Sequence, residues 1–161
     1  MCECAVGVAG ARRPGAFTLL EVVLVLAIVT TLGAIAAPRY ARYTLRYRAD
    51  LAVGRVISDL NLARLSAKAS GGTRAVTFDV GTSRYQVQGW SSLNNRSNPY
   101  WVNLSDMPYE ARLISASFGG TSQITYGGWG LPQAGGTAIL AVGPEQRTIT
   151  VDLETGQATI Q

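Results

Sequence analysis

Apolar positions along this chain change their spacing twice, and each change marks a new element. From Phe17 to Ala37 the residues are apolar, small or hydroxyl-bearing, with Glu21 as the one charge. As an α-helix that 21-residue run spans about 31 Å, enough to cross the hydrocarbon core of a bilayer. Beyond Pro38 the spacing becomes three and four, at Val53, Val56, Ile57, Leu60, Ala63 and Ala67. Leu62 and Leu65 widen this stripe on one side, while Arg55, Asp59, Arg64 and Lys68 lie off it. The pattern predicts an amphipathic helix half whose apolar face lies on a sheet. Ser70-Gly71-Gly72 closes it, with glycine supplying a left-handed cap. The predicted helix thus runs from about Phe17 to about Ala69. Pro38 removes one backbone donor and is expected to bend it near the membrane surface.

After Gly72 the period falls to two. Val76, Phe78 and Val80 alternate with polar residues, and Gly81-Thr82-Ser83 turns the chain into Tyr85, Val87 and Gly89, a hairpin. Ser91 to Pro108 is polar, with Asn94-Asn95, Asn98-Pro99 and Met107-Pro108, and reads as a long exposed loop. Strand-like runs resume at Ala111–Phe118, Gln123–Tyr126, Thr137–Val142, Arg147–Leu153 and Gln157–Ile160. The last two flank Glu154-Thr155-Gly156 and form a closing hairpin, with Ile149, Val151 and Leu153 facing Ala158 and Ile160. The fold class predicted is α+β, one long N-terminal helix packed on a small, mostly antiparallel β-sheet domain. The strands have too little chain to build a core alone, so the helix stripe is expected to cover one face.

Composition removes most enzymatic readings. The chain has no histidine, which excludes the commonest general base and metal ligand and every His-containing triad. Its acids are spread through different segments; Asp152 and Glu154 are close but flank a turn, where solvated acids are ordinary. No phosphate-binding glycine loop or metal-spaced cluster occurs, so no catalytic residue, cofactor or metal is expected. Both cysteines, Cys2 and Cys4, precede the apolar run, leaving the remainder without disulfide or thiol chemistry. The formal charge is +4. Counted from Phe17, 12 basic residues face 9 acidic ones, an excess too small and scattered to imply a nucleic-acid partner.

Glu21 is the anomaly. An acid inside a spanning segment costs roughly 2.5 kcal/mol or more, so it needs a partner or a purpose. Its surroundings supply a candidate purpose: Gly15-Ala16-Phe17-Thr18-Leu19-Leu20-Glu21, preceded by Arg12-Arg13, resembles the cleavage and methylation site of type IV prepilins and type II secretion pseudopilins. In that family a prepilin peptidase cuts on the cytoplasmic side and methylates the new N-terminus, and a glutamate stands fifth in the mature chain. Placing Glu21 fifth makes Ala16–Phe17 the scissile bond, with alanine in place of the usual glycine. The same register puts Pro38 twenty-second, where pilin helices commonly carry proline. Two plainer alternatives are a secretory signal peptide cut after Ala34-Ile35-Ala36 and an uncleaved anchor. The first has too long an apolar core and the second leaves Glu21 and Pro38 without a role.

The whole chain resembles the GspH/FimT group of minor pseudopilins and pilins, through the long helix, Val76-Thr77-Phe78-Asp79 with its Gly turn, and the terminal Ile149-Thr150-Val151-Asp152…Thr155-Gly156 hairpin. The resemblance implies a type IV pilin-like fold in four parts: a prepilin leader (1–16), a transmembrane and filament-core helix (17–37), the amphipathic helix half (38–70) and a GspH-like β-domain (71–161). It implies a single-pass inner-membrane protein, N-terminus cytoplasmic and β-domain periplasmic, drawn into a periplasmic pseudopilus for secretion across the outer membrane. Its implied partners are other pseudopilins or pilins, the prepilin peptidase and the inner-membrane assembly platform. The alternative is a minor type IV pilin of the FimT/FimU kind, in pilus assembly or DNA uptake. The chain ends Gly156-Gln157-Ala158-Thr159-Ile160-Gln161 without a basic residue, which argues against DNA. In the filament, Glu21 is expected to pair with the Phe17 amine of a neighbouring subunit, which would offset its burial only on assembly. Arg39, Arg42, Arg46 and Arg48, interleaved with Tyr40, Tyr43 and Tyr47, are expected at the membrane boundary as a lipid or phosphate contact.

Overall fold

A computed structural model describes residues 17–91 and 99–161. The expected leader 1–16, with Ala16, Cys2 and Cys4, lies outside the described residues, as do Asn94, Asn95 and Asn98 of the expected loop. Helix α1 spans Leu19–Ser70 and continues through position 38. It ends where expected, with Gly71 in the left-handed region at φ 63. Among the described residues eight strands follow: β1 (Arg74–Asp79), β2 (Arg84–Ser91), β3 (Pro99–Asn103), β4 (Arg112–Phe118), β5 (Gln123–Tyr126), β6 (Gly136–Val142), β7 (Glu145–Val151) and β8 (Ala158–Ile160). They form two four-stranded sheets, ordered β3-β2-β1-β5 and β4-β6-β7-β8, and every strand pair is antiparallel. The chain divides into two units, Met1–Tyr40 and Ala41–Gln161.

In the second unit the alternation of β1 and β2 sets the inner rows. Val76 pairs with Val87 and Phe78 with Tyr85, and all four are buried. Ile124 of β5 and Val102 of β3 extend these rows at Val76 and Tyr85. Phe78 joins the two sheets: its ring stacks on Phe118 of β4 at 5.6 Å and tilts against Tyr85 at 5.6 Å. The closing hairpin pairs Ile149 with Ile160 and Val151 with Ala158. Gly136 lets β6 pass β4 closely, since a Cβ there would fall 2.0 Å from the Ser117 carbonyl oxygen.

The helix stripe covers this core as expected, and starts earlier. Ala49, Ala52, Val53, Val56, Leu60, Ala63 and Ala67 are all buried, and Ile57 is half-buried against them. Five expectations are corrected. Leu62 and Leu65 do not widen the stripe; they are 51% and 56% exposed, because the sheets cover the helix's other flank. Asp59 is not off the stripe but 4% exposed, held in the core by a tyrosine from β2. Val80 is exposed, since β1 ends at Asp79 and Val80 opens the turn. Leu153 is exposed beyond the end of β7. The expected loop from Ser91 to Pro108 contains β3, an edge strand whose main inward residue is Val102.

Candidate functional site

The first unit carries the residues singled out for processing and assembly. Helix α1 starts at Leu19, which makes Thr18 its N-cap. Thr18 Oγ1 accepts the Glu21 backbone N–H at 3.2 Å, and the Thr18 carbonyl accepts the Val22 N–H at 3.2 Å. Thr18-Leu19-Leu20-Glu21 is thus a T-x-x-E capping sequence with Glu21 at the third helical position. The sequence reading missed this local role, although the spacing signals it. Phe17 and Glu21 lie one turn apart and line the same shallow apolar groove with Val22, Val25 and Leu26. The structure therefore brings together the two residues expected to act in assembly.

Beyond Glu21 the run offers its apolar side chains outward. Leu24, Leu26, Val29, Leu32 and Ile35 are each more than half exposed. An apolar surface of that extent needs lipid or other helices around it. Its hydroxyls are satisfied within the helix, as hydrocarbon requires: Thr30 donates to the Leu26 and Ala27 carbonyls and Thr31 to that of Ile28. The helix contains a stretch long and apolar enough to cross a membrane, near the N-terminus. Position 38 is helical, and the side chains of Ala37 and Pro38 lie outside the description.

The four junction arginines divide. Arg39 and Arg42 are exposed. Arg46 and Arg48 turn to carboxylates beyond the helix: Arg46 Nε lies 3.1 Å from Glu145 Oε1, and Arg48 pairs with Glu110. Arg147 Nε lies 3.0 Å from Asp50 Oδ1 and its Nη1 3.4 Å from Glu145 Oε2, so four charges alternate in sign from Asp50 to Arg46. The Arg46 hydrogen bond leads, against burial and with Arg147, in holding Glu145 below the usual carboxylate range. Such exposed pairs are weak singly, but the chain of them fixes the β6–β7 hairpin to the helix. Tyr40, Tyr43 and Tyr47 are all exposed, at helical positions i, i+3 and i+7.

A second polar cluster was not legible in the sequence. Tyr85 Oη donates to Asp59 Oδ2 at 2.6 Å in the buried interior. Arg55 Nε lies 3.2 Å from the same oxygen, an ion-pair approach without hydrogen-bond alignment, and its Nη2 donates to Tyr100 Oη. Burial, then the charge and hydrogen bond of Asp59, push the Tyr85 phenol far above its ordinary range, so it stays a donor. Burial alone would lower Arg55, but Asp59, Tyr100 and Tyr85 outweigh it and raise its pKa. The cluster joins the helix to β2 and β3. Asp59→Ala is expected to destabilise the fold by about 2–3 kcal/mol, because the Tyr85 hydroxyl loses its acceptor in the core. Asp59→Asn, which keeps an acceptor, is expected to cost less; denaturant unfolding of the two variants measures the difference. Equal stability of Asp59→Ala and wild type would show the hydroxyl finding another partner.

Among the described residues no three His, Cys, Asp or Glu side chains converge to hold a metal. The Asp152 carboxylate is occupied in its own turn, where the backbone N–H groups of Thr155 and Glu154, then the Thr155 hydroxyl, lower its pKa.

The sequence matches the family profile described as type II transport protein GspH over residues 52–156. Among solved structures, the minor pseudopilin EpsH from the type 2 secretion system of Vibrio cholerae aligns at 19% identity and a TM-score of 0.52, covering 71% of this chain and 96% of that one. The type IV minor pilin FimU of Pseudomonas aeruginosa aligns at 14% identity and a TM-score of 0.52, covering 74% and 92%. A search of curated proteins finds no match. At these identities the two structures bear on the fold alone.

Proposed function

The chain belongs to the GspH family of type II transport proteins, and from that premise we propose that it is a minor pseudopilin of a type II secretion pseudopilus, with a structural and not a catalytic role. The observation that carries this reading is a GspH-family β-domain attached to a membrane-length helix with a carboxylate one turn after Phe17. In this reading the prepilin peptidase cuts between Ala16 and Phe17 and methylates the Phe17 amine. The helix from Phe17 crosses the inner membrane once, with the N-terminus cytoplasmic and the β-domain periplasmic. Pro38 bends the helix at the boundary, where exposed Arg39 and Arg42 meet lipid phosphates and the tyrosines lie among the headgroups. Assembly with other pseudopilins then withdraws the apolar run from lipid. Glu21 binds the neighbouring Phe17 amine, so each added subunit is held at one register.

Mass spectrometry of the mature N-terminus is expected to find methylated Phe17, with residues 1–16 removed. A chain starting at Ala37 would mean an ordinary signal peptide and end this reading. The fold shared with FimU favours a second reading, a minor type IV pilin. Deleting the gene separates them. Loss of protein secretion with intact pili supports the pseudopilin, whereas loss of pili or of DNA uptake with intact secretion supports the pilin.

A further inference from the structure

Trp129 is 87% exposed, the most exposed large hydrophobic side chain among the described residues. It does not hang on a loose loop. In its turn the Gly127 N–H donates to the Leu131 carbonyl at 2.9 Å and the Gly130 N–H to the Gly127 carbonyl at 2.8 Å. Arg64 of α1 holds the turn from outside, its Nε 3.2 Å from the Gly130 carbonyl oxygen. The packing on both sides admits only glycine. A Cβ on Gly128 would fall 2.5 Å from the Gly71 carbonyl oxygen, just past the end of α1. A Cβ on Gly156, in the β7–β8 turn, would fall 2.5 Å from the Gly130 carbonyl oxygen. The Trp129 turn is therefore wedged between the helix end and the β7–β8 turn. With its backbone held in advance, the turn loses little main-chain freedom on docking, and tryptophan is among the residues enriched at binding hot spots.

The abutting β7–β8 turn adds chemistry to this anchor. Its Leu153 is 54% exposed, and its Asp152 and Glu154 carboxylates are exposed as well. The patch is thus aromatic and aliphatic, with two carboxylates at its rim against the one Arg64 guanidinium beside it. At the other end of the amphipathic helix half, roughly 40 Å away by helical rise, the same unit offers the opposite set. There Arg42, Tyr43 and Tyr47 are exposed on α1, and the nearby acids are engaged, Asp50 and Glu145 by Arg147 and Glu110 by Arg48. A carboxylate-bearing end and an arginine-bearing end, each with exposed aromatics, are suited to a head-to-tail contact. Such a contact repeats along a line of homologous subunits whenever its rotation does not close a ring.

We propose that the Trp129 turn, with Leu153 and Glu154, docks onto the tyrosine- and arginine-bearing helix segment of another pilin-like subunit, the counterpart of Arg42–Tyr47 in this chain. The indole meets a guanidinium and tyrosine rings, while the carboxylates face the arginines. This rests on the assembly reading above. The test uses the full chain in its own cells, with photoreactive benzoylphenylalanine at position 129 or, in a second strain, at Leu24 in the apolar run. Expected are adducts from both positions to pilin-like subunits, with the 129 adduct mapping to the helix segment that follows the partner's apolar run. Glu154→Lys is expected to lower the 129 adduct about tenfold, as loss of a strong interface contact does. Trp129→Ala in a strain carrying the Leu24 probe leaves the melting temperature of the fold unchanged, since the side chain is exposed. Adducts from Leu24 but none from 129, or 129 adducts only to an exported protein or a partner's β-domain, would overturn the docking and leave assembly standing. No pilin-like adduct from either position would remove the assembly reading, and this proposal with it.

Discussion

A chain beginning at Gly72 is expected to lose cooperative folding, while one beginning near Arg39 melts as a single unit. Ala49, Ala52, Val53, Val56, Leu60, Ala63 and Ala67 are each no more than 3% exposed, and all come from the helix. Burying Val53, Val56 and Leu60 alone is worth about 5–9 kcal/mol. A whole domain is stable by only about 5–15 kcal/mol, so the strands cannot absorb that loss. Polar ties go with it. Tyr85 loses Asp59, Tyr100 loses Arg55, and the Trp129 turn loses Arg64. The uncovered inner faces, with Phe78, Val76 and Tyr126, would bind hydrophobic dye or aggregate. Thermal unfolding with dye binding compares the two chains. Equal melting temperatures would mean that the sheets cover each other and the helix is dispensable.

The parts of this fold that depend on local period were legible in the sequence. The stripe from Val53 to Ala67 and the Val76/Phe78–Tyr85/Val87 hairpin follow from spacing, because a helix and a strand each repeat their inner face at a fixed interval. Spacing gives the middle of a buried face but not its edges. Asp59 and Leu62 flank the Val56–Leu60–Ala63 line from the same side, and only the position of Tyr85 decides that the acid is buried and the leucine exposed. Pairing partners are equally invisible to spacing. Nothing in the period of β4 says that it joins β6, so the division into two sheets had to come from the structure. Strand β3 was hidden because Pro99 and Asn103 bound a run with few inward residues, and its alternation is too short to register. The candidate site was legible for a different reason. Phe17 and Glu21 need only helical geometry to share a face, and the motif around them supplies the rest. What the motif did not supply was the Thr18 cap, which accepts the Glu21 backbone N–H and puts Glu21 at the capping-box position.

The Glu21 carboxylate determines the second large effect. Glu21→Ala is expected to leave membrane insertion intact or improved, since an acid in the run costs roughly 2.5 kcal/mol or more. Incorporation into the filament is expected to collapse, because the neighbouring Phe17 amine then enters the apolar core with no counter-charge, and an unpaired buried charge costs about 3–5 kcal/mol, which is a hundredfold or more in occupancy. Alanine alone does not separate loss of the charge from loss of a polar side chain at the third helical position, where a capping box uses one. Glutamine does. It keeps the reach and hydrogen bonding of a capping-box residue at the third helical position but carries no charge. If Glu21 acts by pairing with the amine, Glu21→Gln fails to assemble much as Glu21→Ala does, though both insert. Quantifying each variant in sheared filaments against its membrane pool gives the comparison. Should glutamine restore wild-type incorporation, the charge is not needed, and a polar side chain at the capping-box position suffices.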